Sequence, residues 1–252
     1  KNTRGAWPEA AGLLWNKTYQ EMLPAILIEP QKSNGQSVIW LSRTGKSALY
    51  AADGSLAPEV KKLVEAGAAV LGVDLLYQGE FVAGRRPLTR TPRVENPREA
   101  AAYTFGYNDA VFVQRVHDVL SAVKFAQSGP RAGARVSVVG LDRAGPWVAA
   151  ARAQAGGMID RAVVDTGGFR FGKVLDLQDP DFLPGGAKYG DLPGMLAMGA
   201  PAKVWVAGET EEGLALTKAQ YRAANAEKQL TRFDGSAAQL RDAAMAWLLA
   251  AN

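Results

Sequence analysis

The chain has 252 residues, 48% of them apolar, no cysteine, and 29 basic against 25 acidic residues for a net charge of +4. That is enough apolar sequence for one large core, and the missing cysteines exclude disulfides and thiolate metal sites. The basic residues form no stripe interleaved with aromatics, no apolar run approaches about 18 residues, and the N-terminus lacks a positive-then-apolar leader, so nucleic acid, a membrane span and a signal peptide are not expected.

A soluble chain without cofactor or metal is expected. Its compartment is open, because both cytoplasmic and exported bacterial proteins, periplasmic or extracellular, can lack cysteine. The chain begins at Lys1 rather than Met, as a processed chain or a piece of a longer one would.

Residues 1–22, with Trp7, Trp15 and Tyr19 in a loosely helical setting, are expected to form an N-terminal flank packed on a sheet. Residues 23–252 are expected to form a single domain. Pro24 to Glu29 reads as a strand, and Pro30 to Gln36, with Asn34-Gly35, reads as a hairpin connection to a strand at Val38 to Leu41. Pro58 to Ala66 is a predicted helix, Ala68 to Leu76 a fully apolar strand, and Asn108 to Gln127 a long helix. Further strands are predicted at Val136 to Val139, Ala162 to Val164, Lys203 to Ala207 and Gln229 to Phe233, with a final helix from Ala237 to Ala250. Strands that are apolar on both faces and alternate with helices imply a mostly parallel sheet of seven or eight strands covered on both sides.

Ligands of such sheets bind beyond the carboxyl ends of the strands, which directs attention to the residues just after each one. After Leu41 comes Ser42-Arg43-Thr44-Gly45-Lys46-Ser47, whose end looks like a phosphate-binding loop. That motif needs a glycine where Trp40 stands, so the segment reads as a polar loop. After Val139 comes Gly140-Leu141-Asp142-Arg143-Ala144 and then Gly145. A strand turning sharply into a helix, with small residues around a central position, is the geometry of a nucleophile elbow, and here the centre is Asp142 rather than Ser. Asp142 also precedes a helix with Pro146 in its first turn, so capping that helix is an alternative role.

With GLDRAGPW, VDLLYQGEF, YTFGYNDAVFVQRVHDVLSAVKF and LPGGAKYGDLPGMLAMGAP before KVWVAG, the chain resembles an α/β-hydrolase domain of the acetyl xylan esterase and dienelactone hydrolase group, from about Leu23 onward. The resemblance implies an α/β-hydrolase fold with a Ser nucleophile at the elbow, an acid after the seventh strand and a His after the last. Carried over by position, the nucleophile slot is Asp142, the acid slot, through Gly-x-x-acid, is Glu211, and the vacated His slot falls within Asp234-Gly235-Ser236. Dehalogenase-type relatives use an elbow carboxylate, yet they too need a His to activate water.

The single His, His117, sits in the middle of a predicted helix and reads as structural. Glu211 and Glu212 are equally readable as a solvated loop, and Asp234-Gly235 as a turn. Two functions therefore stand against each other. One is a non-catalytic esterase-like domain acting as companion to a catalytic hydrolase domain or subunit, or binding a carbohydrate or small ester. The other is an active ester hydrolase using a carboxylate pair such as Asp142 with Glu211. The long segment from Gln78 to Arg98, with Arg85, Arg86, Arg90, Arg93 and Arg98, is expected to serve association or to favour an anionic group such as a uronate.

Overall fold

The computed structural model describes residues 2–4, 7–92 and 104–250. In chain order these form β1 (Asn2–Arg4), β2 (Trp7–Asn16), β3 (Glu21–Ile28), β4 (Gln36–Leu41), α1 (Pro58–Glu65), β5 (Ala69–Val73), α2 (Val111–Ala126), β6 (Arg135–Gly140), α3 (Gly145–Ala155), β7 (Arg161–Asp165), α4 (Asp191–Met198), β8 (Lys203–Ala207), α5 (Ala215–Ala223), β9 (Leu230–Arg232) and α6 (Ala237–Leu249). The strands make one sheet in the order β1-β2-β3-β5-β4-β6-β7-β8-β9. It is antiparallel from β1 through β3 to β5 and parallel from β5 to β9.

Each central strand is buried on both faces, and its period of two sends alternate residues to two cores. Ile39, Leu41, Val136, Val138, Val164 and Val206 face α2, α3, α4 and α5. Val38, Trp40, Val139, Val163, Trp205 and Ala207 face α1 and α6. The parallel half of the sheet is thus covered on both sides, as its continuous apolar runs require.

The N-terminal segment departs from the sequence reading. Residues 7–16 are a strand rather than a loosely helical flank, and β2 pairs with β3 through eight consecutive residue pairs from Glu9↔Ile28 to Asn16↔Glu21. The hairpin is therefore β2–β3, turning at 17–20, where Gln20 has φ 57. The expected hairpin between β3 and β4 is absent, because β5 lies between them. Asn34 does make a turn, but one tied to the end of α1. Its N–H donates to the Gly67 carbonyl at 2.9 Å and its side-chain amide to the Ala66 carbonyl at 2.9 Å. That anchors the loop beside the start of β5, whose five residues are all buried and take the interior position.

Candidate functional site

The turn between β6 and α3 has the geometry of an elbow. Asp142 and Arg143 adopt φ 51 and φ 69, a region that costs a residue with a Cβ roughly 1–2 kcal/mol. Its neighbours must be small. A Cβ on Gly140 would stand 2.5 Å from Val148 Cγ2, and one on Gly145 would stand 2.0 Å from the Asp165 carbonyl oxygen. The packing of α3 between β6 and β7 thus forces the tight turn and leaves Asp142 at its apex.

Asp142 does not cap α3. The residue before the helix is Ala144, and no side chain accepts from the first turn. The carboxylate turns instead to α6, where Arg241 Nη2 donates to Oδ1 at 2.8 Å and to Oδ2 at 2.7 Å. The same arginine lies 3.7 Å from Glu59 of α1. Nearby Asp165, at the end of β7, accepts from the Gly167 N–H at 3.1 Å. Burial, and then the Asp142 charge, push its carboxyl above the ordinary range against the pull of Gly167 and Arg241.

The other two slots hold surface charges. Glu211 is 69% exposed, bonds Lys218 and lies 3.3 Å from Arg232. The Lys218 hydrogen bond holds its carboxyl below the usual range. Asp234 pairs with Arg232 at 2.9 Å. Ser236 is the N-cap of α6, closing a capping box with Gln239. Arg232 therefore joins Glu211 and Asp234, while no hydrogen bond or ion pair links either of them to Asp142. His117 lies on α2, where Nε2 meets Glu21 Oε2 at 2.8 Å and Tyr19 packs edge-on at 4.7 Å.

Two buried clusters escaped the sequence reading. Glu209, one residue past Gly208 at the end of β8, has a side chain only 1% exposed. Arg170 grips it with two bonds of 2.8 and 2.6 Å. A charged residue at the end of an apolar strand, with an arginine in the loop after the adjacent strand, is the signal that could have found it.

Asp181 accepts from Arg43 at 3.0 Å and from the Trp147 indole at 3.1 Å, with Arg115 at 3.7 Å. Arg115 also donates to the Leu76 carbonyl at 3.0 Å, and burial lowers its pKa to about 10. Asp118, one turn on, accepts from the Leu76 N–H at 2.8 Å, and burial raises its pKa to about 7. Together these groups clamp the loops after β4 and β5 onto α2 and α3. The Gly45-Lys46-Ser47 segment is structural in the same way, with Lys46 bonded to the buried Asp74 and 2.6 Å from Glu80.

Every carboxylate in the three slots is thus neutralised by a cation. Beside the end of β5 lies a cavity of about 550 Å³ lined by Tyr77, Phe105, Asn108, Gln114 and Phe182 among others. Arg90 borders this region, paired with Asp176 at 3.1 Å, and Arg86 is exposed. Arg93, Arg98 and the side chain of Arg85 lie outside the described residues. Among the described residues no group of three or more His, Cys, Asp or Glu could hold a metal ion, and no helix is long and apolar enough to cross a membrane.

No family model and no curated protein matches the sequence. Solved structures do match in fold. A dienelactone hydrolase from Anabaena variabilis is similar at a TM-score of 0.55 and 15% identity, over 96% of this chain and 95% of that one. A putative acetyl xylan esterase from Bacteroides fragilis gives 0.60 and 13%, over 92% and 67%. A CE15 glucuronoyl esterase from Teredinibacter turnerae gives 0.57 and 13%, over 98% and 74%. The elbow between β6 and α3, the mostly parallel sheet covered on both faces and these likenesses give the chain the α/β-hydrolase fold.

Proposed function

We propose that this domain does not hydrolyse esters itself and acts as a companion or binding domain in carbohydrate-ester chemistry. The observation that carries the reading is the elbow. A nucleophile there needs a base to move its proton, or a base to activate water against a carboxylate ester. Asp142 is held by Arg241, and the positions that would supply the base hold Asp234, which is paired with Arg232, and Ser236, which caps α6. The chain's one histidine is bonded to Glu21 beside the β2–β3 hairpin.

The cavity beside the end of β5 supports the ligand half of the proposal. Aromatic rings of Tyr77 and Phe105 beside the amides of Asn108 and Gln114 suit the apolar faces and hydroxyl rims of a sugar or small ester. The companion half rests on the loss of chemistry in a fold that otherwise keeps its loops at the strand ends, a surface suited to a catalytic hydrolase domain or subunit. Export would place such a domain near polymeric substrates.

Calorimetry with acetylated xylo-oligosaccharides, followed by mass analysis of the recovered ligand, tests the reading. Binding that is weakened by Asn108→Ala and returns the acetyl groups intact is the expected result. Recovery of deacetylated ligand would contradict it.

A further inference from the structure

A second cavity, away from the elbow, lies between the β2–β3 hairpin and α2. It measures about 510 Å³, inside the range of roughly 300–1,000 Å³ that small-molecule sites occupy. Its walls follow from two periodicities. On the hairpin, Leu14 pairs with Leu23 and Asn16 with Glu21, so these four side chains rise from one face of the sheet. On α2, His117, Leu120, Ser121 and Lys124 follow one another at spacings of three and four, which sets them on one stripe of the helix. The two walls are tied together by the Asn16–Ser121 hydrogen bond of 3.0 Å and the His117–Glu21 contact of 2.8 Å. The cavity is thus held between the side chains of a sheet face and a helix face, and the backbone edge of β2 takes no part in it.

The lining divides into an apolar interior and a basic mouth. Leu23 is buried, Leu14, Leu120 and Phe125 are half-buried, and Lys17 and Lys124 are exposed. Glu21 is the one carboxylate in the described lining, and it already faces His117. The Lys17 ammonium lies 5.5 Å from the Trp15 ring, and among the described residues no carboxylate pairs with Lys17 or Lys124. Ser121 uses its oxygen to accept from Asn16, which leaves its hydroxyl proton to donate. Two ammonium groups at the mouth of a leucine-rich cavity suit a molecule with an anionic head and an apolar body, and they repel a cationic one.

We propose that this cavity binds an amphipathic monocarboxylate of the fatty-acid kind. The carboxylate meets the lysines at the mouth, and the alkyl chain lies against Leu14, Leu23, Leu120 and Phe125. The site is separate from the cavity beside the end of β5, and its occupation does not depend on what that cavity holds.

Calorimetric titration of the intact chain with decanoate, kept below the concentration at which decanoate aggregates, tests this. Saturable binding of one molecule per chain is expected, and added salt should weaken it. Lys17→Glu and Lys124→Glu should each weaken it at least about tenfold, the loss expected when a hydrogen bond between charged groups is removed. Lys61→Glu, on α1 across the sheet, should bind decanoate as the wild type does. Decan-1-ol, with the same chain and no charge, should also bind at least about tenfold more weakly. Isotope-edited NMR supplies the location: decanoate protons should contact the methyl groups of Leu23 and Leu120. Binding that does not saturate, that is equal for decan-1-ol, or that is unchanged in either mouth variant would overturn the proposal. So would contacts confined to methyl groups elsewhere in the chain.

Discussion

Two carboxylates sit at the ends of strands in this sheet, each gripped by two hydrogen bonds from one arginine. After β8, Glu209 is held by Arg170. After β6, Asp142 is held by Arg241. Exposure separates them: the Glu209 side chain is 1% exposed and that of Asp142 is 49% exposed. A buried carboxylate must keep its partner or bear the full cost of desolvation, whereas an exposed one falls back on water. The first pair is thus a structural pin between the loops after β7 and β8. The second is a surface clasp at the apex of the turn between β6 and α3. The close packing at Gly140 and Gly145 imposes the tight turn.

The sharpest way to separate the two pairs is to remove each arginine. Arg170→Ala strands Glu209 in the interior and should cost about 3 kcal/mol, read as a lower denaturation midpoint with unchanged slope. A loss under about 1 kcal/mol would mean that the two pairs are alike. Next in size is Gly145→Ala, whose methyl group would collide with the Asp165 carbonyl. Overpacking at that contact should cost about 2 kcal/mol. A neutral result would show that the elbow is not imposed by packing.

The sheet and the elbow were legible in the sequence, and these pairs were not. The strands from β3 to β9 and the helices α1, α2, α3 and α6 stand out because buried strands read as apolar runs and covering helices as periodic ones. β2 was missed because EAAGLLW mixes small and large residues on a strand with one open face, and the hairpin was misplaced because Asn34-Gly35 is as good a turn against α1 as between paired strands. α4 was hidden by Pro193 and Gly194 inside it. At the site, Glu211 was reached by spacing along the chain, while Glu209–Arg170 and Asp142–Arg241 depend on elements that meet only in the folded molecule.

A third prediction concerns pH. Asp118 has a folded pKa of about 7, above the ordinary carboxylate value, with burial as the main cause. Its contribution is fully present below about pH 4 and is lost as pH rises towards 7, because the unfolded chain releases the proton first. Stability should therefore decline across that window in the wild type and decline less in Asp118→Asn, as followed by urea denaturation at several pH values. Equal slopes would remove Asp118 from the account.

The smallest expected effect on stability is that of Asp142→Asn. It loosens a half-exposed clasp and should cost less than about 1 kcal/mol. The same variant decides the central claim. Initial rates of acetyl and aryl ester hydrolysis are measured at neutral pH for the wild type, for Asp142→Asn and for a distant surface variant, Arg135→Ala. All three should coincide with the uncatalysed background at every protein concentration. Turnover that scales with wild-type concentration, persists in Arg135→Ala and vanishes in Asp142→Asn would contradict the account and make Asp142 a working nucleophile.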